Sequence, residues 1–150
     1  MRKAMNKRAW KTALPLVLIC MIFTHSMSMS AKAADIMPYY NNAISTLSNA
    51  DVSSSGVITI SYKYVGIPNV TTKAVLTIYI EKRTLGLFWT RVDIGEPDNQ
   101  WVITKYLEKY TGSQSFQLSS KGTYRVTVKY KIYGTGGSAD EETWKEKVTY

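Results

Sequence analysis

Cysteine and histidine are almost absent from this sequence. Its 150 residues contain one of each, Cys20 and His25. Both precede Ala33, so residues 34–150 have neither a thiol nor an imidazole. This composition excludes a disulfide, a Cys/His zinc site, a Ser-His-Asp triad and a Cys-His pair from that segment. We therefore predict a domain stabilised by packing alone, with no metal site, no cofactor and no enzymatic activity.

The first 33 residues have the pattern of a secretory signal peptide. A basic segment is followed by an apolar run from Ala13 to Phe23 and by the small-residue end Ala31-Lys32-Ala33. The run is shorter than the roughly 20 residues that span a bilayer, so a signal peptide is favoured over an uncleaved membrane anchor. We predict cleavage after Ala33, one domain over residues 34–150, and a secreted protein that is extracellular or associated with the cell wall.

The formal net charge of +8 comes mostly from the predicted signal peptide. Six of the 19 basic residues lie before residue 34, whereas all 11 acidic residues lie after it. The predicted mature domain therefore has 13 basic and 11 acidic residues, a net charge of +2. That charge is too small to indicate a nucleic-acid partner.

Apolar and polar residues alternate from Gly56 onward, which indicates β-strands with one buried face. The predicted inward faces are Ile58, Ile60, Tyr62 and Tyr64; Leu76, Ile78 and Ile80; and Tyr124, Val126, Val128, Tyr130 and Ile132. Residues 100–110 are ambiguous, because their apolar residues also fit a helical stripe, but their β-branched and aromatic content favours a strand. About seven short strands separated by turns predict an all-β fold, a single antiparallel β-sandwich.

The pattern L-x-x-x-G-x-Y-x-V, formed by Leu118, Gly122, Tyr124 and Val126, resembles the tyrosine corner of immunoglobulin-like and fibronectin type III sandwiches. The chain after the leader also resembles short, uncharacterised secreted proteins of Gram-positive bacteria with that fold. The shared features are a strand ending in EKR, a bend followed by W-T-x-V, and L-S-S-K-G-T-Y-R-V before a polar last strand. The resemblance implies an immunoglobulin/fibronectin type III-like fold and export, and it supplies no functional residues.

The charged residues suggest one candidate surface. Asp140, Glu141 and Glu142 lack the alternating ligands of a calcium loop, so we assign them to a solvated turn. An outward basic stripe is a candidate site for an anion or a cell-wall polymer, although lysines on a sheet face also serve simply to prevent edge pairing. We expect Glu142 and Glu146 to neutralise much of this stripe. It consists of Arg125, Lys129, Lys131, Lys145 and Lys147.

Aromatic residues are plentiful, and alternation places Tyr79, Tyr133 and Trp89 on the outward side of their strands. Flat rings stack on sugars, and Tyr, Trp and Arg are enriched at interface hot spots. We therefore predict a binding protein for a protein partner or a cell-surface glycan. The candidate binding residues are Tyr79, Trp89, Arg91 and Trp101. The alternative is that the tryptophans only cover the core.

The stretch EKRTLGLFWTR contains an apolar bend flanked by cations. If Leu85, Leu87 and Phe88 are exposed, they can insert into a membrane interface, which gives the alternative function of a membrane-active or antimicrobial-type protein. The third interpretation is that the run folds over the end of the sandwich and closes the core. We favour this last arrangement, with Trp89 facing inward.

Overall fold

A computed structural model describes residues 40–150 of the chain. The predicted signal peptide, residues 1–33, and the first six residues of the predicted domain lie outside the described residues. The described part contains eight β-strands and one short 3-10 turn, Pro97–Asn99. The strands are β1 Ala43–Val52, β2 Val57–Gly66, β3 Thr71–Thr84, β4 Phe88–Arg91, β5 Trp101–Lys105, β6 Lys109–Gln117, β7 Thr123–Gly134 and β8 Asp140–Thr149.

The strands form two antiparallel sheets. One has three strands in the order β1-β2-β6. In the other, β3 pairs with β7 on one side, followed by β8, and with both β4 and β5 on its other side. The predicted all-β sandwich is confirmed, with eight strands where about seven were predicted.

The extra strand arises because the edge beside β3 is interrupted. The chain pairs with the end of β3 as β4, leaves it at Val92, turns, and returns to pair with the middle of β3 as β5. The prediction of a strand over residues 100–110 is correct, but the segment is divided between the two sheets. Residues up to Lys105 pair with β3, and those from Lys109 pair with β2. The residues that suggested a helical stripe therefore belong to two strands and the crossing between them.

The core lies between the two sheets and contains the predicted inward faces. All twelve of those residues are at most 3% exposed. Burial of each isoleucine removes enough apolar surface to contribute about 1.5–3 kcal/mol. The tyrosines keep their hydroxyl groups satisfied: Tyr64 donates a hydrogen bond to the Leu107 carbonyl oxygen and Tyr130 to that of Leu47, each at 2.8 Å. Burial raises the pKa of Tyr130, so this ring enters the core as a neutral donor.

One buried carboxylate links the first strand to the last. Asp140, at the start of β8, accepts backbone hydrogen bonds from Asn41, Asn42 and Ala43 at 2.8, 2.7 and 2.9 Å. Charge-assisted bonds of this kind are stronger than bonds between neutral groups. The Asp140 carboxylate therefore connects β1 of one sheet to β8 of the other, and its assignment to a solvated turn is wrong.

The Tyr124 hydroxyl donates a hydrogen bond of 2.5 Å to the carbonyl oxygen of Ser120, four residues upstream. This is the bond that defines a tyrosine corner. Tyr124 is 1% exposed and Leu118 is 2% exposed, so both residues also belong to the core. Gly122 lies between them with φ +153°, a backbone angle that other residues rarely adopt. The motif thus fixes the arch that carries the chain from β6 in one sheet to β7 in the other.

We predict that Tyr124→Phe folds normally and that Tyr124→Ala is severely destabilised. The phenylalanine loses one hydrogen bond, worth about 0.5–1.5 kcal/mol, whereas removal of the ring leaves a cavity that costs about 3–5 kcal/mol. Chemical denaturation monitored by tryptophan fluorescence measures both losses. Equal, small losses for the two variants would contradict the role assigned to this corner.

Candidate binding face

Three of the four predicted binding residues lie on one side of the five-stranded sheet. We call the solvent side of this sheet the outer face. Tyr79 lies on β3 between Ile78 and Ile80, which point into the core, so its own side chain points to the other side of the sheet. The register pairs Trp89 with Arg83 and Arg91 with Glu81. Residues directly opposite in a sheet share a side, so these four also point away from the core. Tyr79, Trp89 and Arg91 are therefore brought together by the β3-β4 pairing.

Arg91 covers the ring of Tyr79. Its guanidinium carbon lies 3.5 Å from the ring centroid, and the Lys129 ammonium lies 5.7 Å from the same centroid. The Arg91 Nη1 atom also donates to the Asp98 carbonyl oxygen at 3.1 Å and to the Gln100 side chain at 3.4 Å. Tyr79 is consequently only 9% exposed although it stands on the solvent side. The loop after β4 thus fixes Arg91 in a stacked position.

A second cation–aromatic pair lies beside the first. The Arg125 guanidinium lies 4.4 Å from the Trp89 ring centroid and forms an ion pair with Glu81, with an Nη2–Oε2 distance of 2.8 Å. The hydrogen bond that Arg125 donates to the Glu81 carboxylate raises the pKa of Arg125. Sequence reasoning placed Arg125 in the basic stripe but not beside Trp89. Alternation along the two strands already placed Arg125 and Glu81 on the outward side. Alternation alone, however, does not show which strands are neighbours in the sheet.

Trp101 does not belong to this cluster. It pairs with the inward residue Ile78, packs against the core, and meets the Phe116 ring at a centroid distance of 6.4 Å and an angle of 66°. An edge-to-face contact of this kind is typical of core aromatics. The structure therefore separates Trp101 from Tyr79, Trp89 and Arg91 and gives it a packing role.

The apolar tip is exposed, and the expectation that it closes the core is wrong. Leu85, Leu87 and Phe88 are 85%, 75% and 64% exposed. Trp89 faces the solvent side and is half-buried, with Arg125 over its ring, so the expectation that Trp89 faces inward is also wrong. The reason is that β3 extends past the end of the core, and the hairpin formed with β4 projects from it.

The turn at the tip has an unusual residue. Leu85 and Gly86 have φ of +52° and +68°, and the Leu87 amide donates to the Thr84 carbonyl oxygen at 3.1 Å. Two positive φ values at the centre of a two-residue loop are the mark of a type I′ turn, which normally has Asn or Asp followed by Gly. A leucine in this left-handed conformation costs about 1–2 kcal/mol.

The basic stripe is not neutralised by the two glutamates that were expected to do so. Glu142 accepts hydrogen bonds from Tyr40 at 2.5 Å and from Thr46, and Glu146 accepts one from the Ala50 amide at 3.2 Å. These groups belong to β1 or precede it, so both carboxylates lie on the side of β8 that faces β1. The physical reason is the alternation of β8, which turns Glu142 and Glu146 away from the lysines.

The outer face therefore has a large excess of positive charge. Its only acidic residues within the strands are Glu81 and Glu141, and Glu141 forms an ion pair with Lys131 at 2.7 Å. Residues 40–150 contain 13 basic and 10 acidic residues, of which eight basic and two acidic ones lie on this face. The eight are Lys73, Arg83, Arg91, Arg125, Lys129, Lys131, Lys145 and Lys147. The charge of the domain is thus strongly polarised.

Two further properties concern residues 40–150 only. Within them, no three His, Cys, Asp or Glu side chains come together in a way that could hold a metal ion. The same part of the chain has no helix long and apolar enough to cross a membrane.

The sequence of the chain was compared with known proteins. No protein-family model matches it, and a search of curated proteins also found no match.

We predict that Leu85→Asn stabilises the domain. Asparagine tolerates the left-handed conformation and completes the Asn-Gly sequence that type I′ turns prefer. The expected gain is about 1 kcal/mol, or about 4 °C in the melting temperature for a domain of this size.

The matched control for this turn is Leu87→Asn, which removes a similarly exposed leucine where φ is not positive. Differential scanning calorimetry compares both variants with the wild type. A lower melting temperature for Leu85→Asn, or the same gain for both, would show that the turn is not strained by leucine.

Proposed function

We propose that this protein acts outside the cell as a non-catalytic binding protein, and that the outer face contacts a protein partner or a cell-surface glycan. The observation that carries the proposal is the assembly of Tyr79, Trp89 and Arg91 on one side of a sheet, with Arg125 stacked on Trp89. Tyrosine, tryptophan and arginine are the residue types most enriched at binding hot spots.

The geometry of this cluster favours binding because its side chains are already fixed. Arg91 makes one stacking contact and two hydrogen bonds, and Arg125 makes one stacking contact and one ion pair. Immobilising a free side chain at an interface costs about 0.5–1.5 kcal/mol. A partner that meets this face therefore loses little affinity to side-chain ordering.

The carboxylates of the outer face support binding over acid–base catalysis. Glu81 is paired with Arg125, and Glu141 with Lys131. The hydrogen bond from Lys131 lowers the pKa of Glu141 and raises that of Lys131. A general acid at neutral pH needs a raised carboxyl pKa, which is the opposite direction.

The test is co-sedimentation of the purified protein with bacterial cell envelopes. We expect the wild type to pellet and the double variant Trp89→Ala/Arg91→Ala to lose at least about tenfold in affinity, since loss of one hot-spot residue costs about 2 kcal/mol or more. Trp101→Phe is the matched control, because Trp101 is an aromatic residue outside the face, and it should pellet like the wild type.

Protease treatment of the envelopes separates the two kinds of ligand. Binding that survives treatment indicates a glycan, and binding that disappears indicates a protein partner. The proposal fails if the wild type pellets with neither preparation, or if the double variant pellets as well as the wild type.

A second candidate function is contact with a membrane through the hairpin tip. The observation that favours it is the exposure of Leu85, Leu87 and Phe88 beside the cations of the outer face. Exposed apolar groups insert among lipid headgroups, and neighbouring Lys and Arg add about 1 kcal/mol each at an anionic surface. Backbone strain is often found at functional sites, so the leucine at positive φ in this turn supports a role for its side chain in membrane contact.

Vesicle sedimentation tests this candidate. We expect the wild type to pellet with vesicles containing phosphatidylglycerol and the variant Leu85→Asn/Phe88→Ser to remain in solution. The matched control is Leu47→Ser, which removes an exposed leucine from the other sheet, 67% exposed in the wild type. Membrane contact through the tip is excluded if the wild type stays in solution, or if the tip variant pellets equally well.

A further inference from the structure

Thr127 is the least expected residue on the outer face. The register of β7 places it on the solvent side, opposite Tyr79 of β3 and Lys145 of β8, yet its side chain is 0% exposed. Its Oγ1 atom is buried and has no hydrogen-bond partner among the described residues. Buried hydroxyl groups are nearly always hydrogen-bonded, and an exception calls for an explanation.

The neighbours of Thr127 are mostly cations. Lys145 is directly opposite Thr127 on β8, and neighbouring strands are about 5 Å apart. Arg125 and Lys129 are two residues from Thr127 on β7, so their backbones are about 7 Å away along the strand. Tyr79, on the remaining side, has Arg91 stacked on its ring. An unpartnered donor thus has positively charged residues at neighbouring positions on two strands and the aromatic cluster on its remaining side.

This arrangement matches an oxyanion. A threonine hydroxyl donates a hydrogen bond, Lys and Arg donate charge-assisted ones, and the oxygens of phosphate and carboxylate groups accept from all of them. The only carboxylate of the outer face near this point, Glu81, is already held by Arg125. Lys129 and Lys145 are exposed, and they have no ion-pair partner among the described residues.

The hydroxyl group is buried, so an anion reaches it only if the side chains over it move aside. Lysine side chains are long and flexible, and those of Lys129 and Lys145 extend into solvent. An anion held between the two ammonium groups lies above the hydroxyl group of Thr127.

We propose that Thr127, Arg125, Lys129 and Lys145 form an oxyanion subsite, which binds a phosphate or carboxylate group of an anionic polymer lying across the outer face. This inference rests on the proposed function and gives the ligand its chemical class. One row across neighbouring strands consists of Lys147, Arg125, Glu81 and Arg91, and the next consists of Lys145, Thr127 and Tyr79. Glu81 is already paired with Arg125, and a linear polyanion along the first row meets the three cations on either side of it. The association then weakens as ionic strength rises.

The decisive variant is Thr127→Val. Valine has the shape of threonine and lacks the hydroxyl, so at a site without a hydrogen-bond partner it leaves the melting temperature unchanged or raises it. If the hydroxyl binds an anion, the same variant loses affinity. Thr127→Ser keeps the donor and should retain binding. Higher stability combined with weaker binding is a result that a purely structural threonine would not give.

Isothermal titration calorimetry at low salt measures the affinity with three defined polymers: inorganic polyphosphate, polygalacturonate and neutral dextran. We expect wild-type binding to polyphosphate or polygalacturonate that weakens with added salt, and no binding to dextran. Thr127→Val and Lys129→Ala/Lys145→Ala should each bind at least about fivefold more weakly. Lys63→Ala/Lys109→Ala removes two cations from the three-stranded sheet and should bind like the wild type. The anionic polymer that binds with the higher affinity shows whether the recognised group is a phosphate or a carboxylate.

The outcomes also separate this inference from the proposed function. If envelope binding depends on Trp89 and Arg91 but Thr127→Val binds as the wild type does, the face is a binding surface and the subsite is wrong. The subsite proposal is also contradicted if the wild type binds neither anionic polymer, or if it binds dextran with the same affinity as the anionic polymers. If Thr127→Val loses polyanion binding while envelopes are not bound, the subsite stands and the proposed function fails.

Discussion

The pairing of β3 with β7 is the interaction on which both the core and the outer face depend. It joins eleven residue pairs, from Thr71 with Gly134 to Lys82 with Tyr124. A slip of one residue in either strand would exchange its two faces. Arg125 and Lys129 would then enter the core, and Val126 would face water. Because burial of unpaired charge is far more costly than exposure of a valine, the hydrophobic core itself keeps the cations on the outside.

The outer face combines rigidity with charge. Arg91 stacks on Tyr79, and Arg125 stacks on Trp89. These contacts reduce the exposure of two large rings and fix two guanidinium groups. The lysines around Thr127 remain free of ion pairs among the described residues, because the nearby glutamates of β8 point towards β1. One part of the face is thus pre-organised and the other is left with uncompensated charge. This division suits a ligand with both a flat surface and anionic groups.

The hairpin of β3 and β4 brings two unusual features together. Its turn holds a leucine at positive φ with its side chain 85% exposed, and its returning strand supplies Trp89 and Arg91. Neither the strain nor the exposure contributes to folding stability. Since β4 is only four residues long, it depends on β3 for its position. The cluster on the outer face is therefore held by the long strand, while the tip is free to contact another surface.

Some features of this protein were predictable from sequence because they are local. Alternation along β2, β3 and β7 is a property of each strand alone, and it identified all twelve inward residues correctly. The tyrosine corner is also local, since the Tyr124 hydroxyl reaches a carbonyl oxygen only four residues upstream. The number of strands is not a local property, because the interruption between β4 and β5 depends on how the chain leaves and rejoins β3.

What the sequence by itself determined is the fold class, the inward face of each long strand and the arch at Tyr124. Only the tertiary structure decided that Arg125 lies over Trp89 while Trp101 packs against Phe116, and that the partners of Glu142 and Glu146 are groups in or just before β1. The physical reason is that the side on which a residue stands follows from a period of two within one strand, whereas its neighbours follow from the register between strands far apart in the chain.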